Sequence, residues 1–108
     1  MLAKKYRLPV QKFFYERPPK TQKSRYFLLK SFPQGAPHSR LGVVISKAVA
    51  AKSTRRNKLK RSIFDFFKDY KTRLPAQDFL LIALPPATLL KNKALQEELG
   101  KILSTHQP

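Results

Sequence analysis

The residues with most chemical content lie between Lys52 and Arg61 (KSTRRNKLKR), where six of ten are Lys or Arg and none is acidic. They open a segment whose spacing predicts a helix, with Leu59, Ile63, Phe66, Phe67, Tyr70 and Leu74 on one 3.6-residue stripe. A helix N-terminus already favours anions through its unpaired N–H groups and macrodipole, so cations placed there are unfavourable unless an anion neutralises both. The chemistry this predicts is phosphate binding. On a helical wheel Asn57, Arg61 and Lys68 lie opposite the apolar stripe, with Lys58 and Lys60 at its flanks. A charge run usually forms a solvated face, but such faces mix signs. Here the first acid after Glu16 is Asp65, and positions 1 to 73 hold 20 basic residues against three acids. That asymmetry suits a surface that tracks phosphates.

Phe64 falls on the same charged face, about one turn after Lys60 and Arg61 and one turn before Lys68. Two roles are open to it. It can pack against another segment, such as the N-terminal arm carrying Phe13 and Phe14. It can also offer a ring on which a base stacks, worth about 1–3 kcal/mol per base.

Residues for catalysis by the chain itself are scarce. Asp65 and Asp69 are spaced i,i+4 and could hold Mg²⁺, but among so many cations they read better as ion-pair partners. Glu97 and Glu98 diverge on a helix. No Ser–His–Asp grouping, phosphate-binding glycine loop or HExxH occurs, and there are only three glycines. The absence of Cys removes disulfides, thiolate metal sites and thiol nucleophiles. His38 and His106 have no partner at zinc-ligand spacing. If the chain takes part in a reaction, another molecule does the chemistry.

The elements that must position the basic helix are legible in outline. Ser24–Phe32 (SRYFLLKSF) reads as a strand ending at the turn-rich Pro33–Pro37, and Leu41–Lys47 (LGVVISK) as a second strand, its hairpin partner. Ser53 or Thr54 can cap the basic helix, and Pro75 lies beyond its end. Asp78–Leu84 (DFLLIAL) suits a strand buried on both faces, closed by Pro85 and Pro86. A last helix is predicted over Lys91–Ser104, with Leu95, Leu99, Ile102 and Leu103 on one side. Two helices and at least three strands make an α+β fold.

At 108 residues the chain is read as a single domain, residues 1–108, with 42% apolar and 27% charged residues supporting a folded core. The net charge of +17 calls for a polyanionic partner, nucleic acid first and an anionic membrane surface second. No stretch approaches the roughly 18–20 apolar residues of a spanning helix. The first twenty residues lack the apolar core of a secretory signal. Six basic residues against one acid leave a transit-peptide reading there, which Pro9, Pro18 and Pro19 weaken. A cytoplasmic protein with no membrane contact is expected.

Two motifs then stand in order: Arg40-Leu41-Gly42-Val43-Val44-Ile45-Ser46-Lys47, a short basic linker, and Arg56-Asn57-Lys58-Leu59-Lys60-Arg61. RNxxKR opening a basic helix one loop after RxGxxxSK resembles the protein subunit of bacterial ribonuclease P, from Arg7-Leu8 to the last helix. The resemblance implies an N-terminal helix, a small mixed sheet, the basic helix, a last strand and a C-terminal helix. It also implies the left-handed βαβ crossover of a ribosomal S5 domain 2-like fold, an exception to the usual right-handed rule. It further implies a ribonucleoprotein endonuclease that removes the 5′ leader from precursor tRNA, with the chemistry done by the RNA subunit and its Mg²⁺. The protein would bind no metal alone, pair 1:1 with the RNA and grip the leader in a cleft between sheet and basic helix.

By the same resemblance, Arg56, Asn57, Lys60 and Arg61 meet the RNA, joined by Arg40 and Arg55 of the motif region. Lys47 and Lys52 add phosphate contacts, and Phe14 faces the leader. Removing Arg56 or Arg61, read as surface cations, should weaken RNA binding and spare the fold. The sequence departs from the family pattern at Phe64, commonly Arg, at Lys30, often aromatic, at Ala48, commonly Lys, and around Pro18. The competing reading is a ribosomal or other structural RNA-binding protein without processing activity. A helix-turn-helix DNA regulator fits less well, because strands flank the basic helix where a second short helix belongs.

Overall fold

The computed structural model describes residues 6–8, 20–32, 38–70 and 77–104. Within them are strands β1 (Lys20–Lys23), β2 (Phe27–Phe32), β3 (Arg40–Val44) and β4 (Asp78–Ala83), and helices α1 (Ser53–Tyr70) and α2 (Asn92–Ser104). A 3₁₀ turn, Pro85–Leu89, precedes α2 and carries proline at its start, where a missing N–H costs nothing. The expected N-terminal helix lies outside the described residues.

The strand order is β1-β2-β4-β3. β4 runs antiparallel to β2, with Phe27 opposite Ala83 and Phe32 opposite Asp78. It runs parallel to β3, with Arg40 opposite Asp78 and Val44 opposite Ile82. The expected hairpin of β2 with β3 is therefore wrong: β4 lies between them. The physical reason is burial, because the continuous apolar run of β4 needs cover on both faces and on both edges. A parallel neighbour also requires a long crossover, and α1 supplies it.

β1 has no apolar residue and escapes a hydrophobic-pattern reading; lysines at both ends suit an edge strand. It pairs antiparallel with β2 through a tight connection at Ser24. The Ser24 hydroxyl accepts from the Phe27 N–H at 3.1 Å and from the Tyr26 N–H at 3.3 Å, which is why β2 starts three residues later than the pattern suggests.

Alternation along the strands divides the core. Phe27, Leu29, Leu41, Val43, Phe79 and Leu81 are buried on one face against Ile63, Phe67 and Tyr70 of α1 and Leu95, Leu99, Ile102 and Leu103 of α2. The α1 stripe is thus as predicted through Tyr70, with Leu59 and Phe66 half-buried at its margins, and Leu74 lies outside the described residues. The opposite face holds a smaller cluster of Leu8, Phe32 and Leu80, with Val44 and Ile82 half-buried beside it. Leu28 and Lys30 alternate onto this second face and are also half-buried.

Candidate nucleic-acid interface

The approach to α1 is a tight turn in which the N–H groups of Val49 and Ala50 donate to the Ser46 carbonyl. Ser53 is the first helical residue, and the Lys52 carbonyl accepts from the N–H groups of Arg55 and Arg56, both at 3.1 Å. The cap position therefore belongs to Lys52, and the expected side-chain cap from Ser53 or Thr54 does not form. No acid stands in the first turn. The free N–H groups and the basic side chains consequently add their fields at one end of the helix.

Arg56 does not project freely. It is half-buried, and its Nη1 donates to the carbonyls of Ala50 at 2.9 Å and Ala51 at 2.8 Å. This fastens the β3–α1 connection to the first turn of the helix, so Arg56, read from the sequence as a surface cation, has a structural role. Lys47, Lys52, Arg55, Asn57, Lys60 and Arg61 are exposed. Lys60, Arg61 and Asn57 share the flank of α1 that also carries Phe64.

Phe64 is half-buried against the core, and the Arg7 guanidinium sits 5.7 Å from its ring centroid. Segment 6–8 runs along the outer edge of β3, where the Leu8 N–H donates to the Leu41 carbonyl at 2.9 Å. Packing against the N-terminal arm is thus realised through Arg7. Sequence reasoning missed Arg7 as a neighbour of this flank, although Arg7-Leu8 is where the family pattern begins. Phe14 lies outside the described residues.

Arg40 is committed elsewhere. Its Nε and Nη2 donate to Oδ1 and Oδ2 of Asp78, both at 2.7 Å, and Asp78 is only 2% exposed. The hydrogen bond to Asp78 raises the Arg40 pKa above its ordinary value, against the opposing effect of burial, so the guanidinium keeps its charge. Arg40 and Asp78 are register partners, so the ion pair locks the ends of β3 and β4 together. Among the described residues no three His, Cys, Asp or Glu side chains converge to hold a metal ion.

The mixed sheet with its basic crossover helix is an arrangement that known proteins share. The sequence profile described as Ribonuclease P matches residues 2–107. The chain belongs to the ribonuclease P protein family. The ribonuclease P protein component of Coxiella burnetii is 36% identical over 80 residues, 74% of this chain and 66% of that protein. That of an Azoarcus species is 35% identical over 77 residues, 71% of this chain and 64% of that protein. The matches thus span about two thirds of the length of these relatives. The RNase P protein of Thermotoga maritima superposes with a TM-score of 0.82 at 26% identity, covering 94% of this chain and 98% of that one. That of Staphylococcus aureus gives 0.74 at 30% identity, covering 80% and 79%. The ribonuclease P fold accounts for the order β1-β2-β4-β3 and for α1 as the crossover. Among the described residues no helix is long and apolar enough to cross a membrane.

Proposed function

We propose that this chain is the protein subunit of ribonuclease P. It binds the catalytic RNA subunit, 1:1, and the 5′ leader of precursor tRNA, promoting endonucleolytic removal of the leader in the cytoplasm. The observation that carries the proposal is the exposed, acid-free start of α1, held rigid by Arg56 and embedded in the family fold. Asn57, Lys60 and Arg61 supply phosphate and polar contacts to the RNA subunit, with Lys47, Lys52 and Arg55 extending the positive surface. The leader runs over the sheet face bearing Leu28, Lys30, Val44 and Ile82, which lies on the side of the sheet opposite α1, and reaches this flank past the edge of β3. Lys30 there favours backbone contact over the stacking an aromatic residue would give. Mg²⁺ enters through the RNA, and the chain lowers the concentration needed by neutralising phosphates.

The test is 5′ processing of a precursor tRNA by a bacterial ribonuclease P RNA at low Mg²⁺, with and without the chain. Cleavage at the mature 5′ end, restored on addition, is the expected result. Tight binding to the cognate RNA with no stimulation would instead mark a structural RNA-binding protein.

A further inference from the structure

α1 has a second flank, turned away from Phe64, and it is not uniform. Near its start, Arg55 and Lys58 of α1 and Lys91 at the approach to α2 rim a groove of about 360 Å³, floored by Leu59, Leu90 and Leu95. The three cations are exposed, and among the described residues their side chains make no hydrogen bond or ion pair. Farther along, past Ser62, the same flank carries Asp65 and Asp69 beside a separate groove with Phe66 and Tyr70. Positive charge therefore surrounds an apolar floor at one end of the flank, and its two carboxylates lie toward the other.

We propose that the first groove is a second RNA-contact site, deepening the RNA-binding reading above, and that it takes one unstacked nucleotide. Its base lies on the leucine floor and its phosphates meet Arg55, Lys58 and Lys91. The volume falls in the range of about 300–1,000 Å³ in which ligand sites lie. Apolar surface ringed by cations suits single-stranded nucleic acid, whose bases are flat and whose backbone is anionic. A chain of net charge +17 repels a second copy of itself, which further favours an anionic occupant. The later turns of this flank carry its two carboxylates, Asp65 and Asp69, whereas its cations lie at the start of α1. The RNA strand crosses the first turns toward Lys52, so the start of α1 is gripped from two sides. Leu89, 74% exposed next to the lining residues Thr88 and Leu90, gives the base a further apolar contact.

The test compares the full chain with Lys58→Gln/Lys91→Gln and with Lys60→Gln/Arg61→Gln on the outer flank, each binding a bacterial ribonuclease P RNA and a precursor tRNA. In parallel, a photoreactive phenylalanine derivative replaces Leu89. Losing two phosphate contacts from the inner pair should reduce the magnitude of the log–log salt slope by about 1.4–1.8, with unchanged circular dichroism. Position 89 should crosslink to an unpaired nucleotide. An unchanged slope and no RNA crosslink, while the outer pair still loses affinity, would overturn the second site and leave the RNA-binding reading standing. A crosslink between two copies of the chain overturns it in favour of self-association. If neither pair of substitutions alters binding, the RNA-binding reading fails as well.

Discussion

Arg40 and Asp78 join the first residues of two parallel neighbours through a pair whose carboxylate is almost wholly buried. Removing the cation leaves a desolvated anion with no counter-charge, the costly way to break such a pair. Arg40→Ala should therefore destabilise the fold by about 2–3 kcal/mol, below the usual range for a buried pair because Arg40 is itself partly exposed. Adding Asp78→Asn should recover part of the loss, since the buried group is then neutral. Urea unfolding of the two variants checks this, and equal stabilities would show that the charge is not what matters. Arg56 and Arg61, read alike in the sequence, should separate in the same measurement. Arg56→Ala removes two bonds to backbone carbonyls and should cost about 1–2 kcal/mol as well as RNA affinity. Arg61→Ala, exposed on the outer flank, should lower RNA affinity with stability unchanged.

At the scale of elements, α1 works because its buried stripe is narrow and most of the rest of its circumference is exposed. Phe67 is fully buried between sheet and α2, so Phe67→Ala should cost about 3–5 kcal/mol and lower the thermal midpoint accordingly. A loss below about 1 kcal/mol would mean that α1 is not anchored by this stripe. The same stripe was readable in the sequence, as were β4 and α2, because dense apolar periodicity reports burial directly. β1 was not, since its pairing is carried by backbone bonds and no side-chain pattern marks it. The position of β4 between β2 and β3 was also hidden, because strand order depends on where the crossover returns the chain. At the site, the acid-free run predicted phosphate contact. It could not show that Arg56 turns back to Ala50 and Ala51, that Arg40 belongs to Asp78, or that Arg7 reaches Phe64. Each of these is a tertiary contact between residues whose sequence signal is only a charge.

For the whole molecule, where the acids lie matters as much as how few they are. Asp78 is occupied by Arg40, Glu98 pairs with Lys101 at 3.4 Å, and Asp65 and Asp69 sit on the later turns of α1. None stands in the first turn of that helix, where the positive ends of the peptide dipoles also converge. The result, among the described residues, is an acid-free, cationic start of α1 within a strongly cationic chain. Binding to RNA should then be dominated by counterion release, and five neutralised phosphates predict a log–log salt slope of about −3.5 to −4.5. Titrations of the RNA subunit between low and moderate KCl measure it directly. A slope near zero would show that shape and apolar contact, rather than this charge, hold the complex together. A slope within the range that flattens in Lys60→Gln/Arg61→Gln would place phosphate contacts at the start of α1.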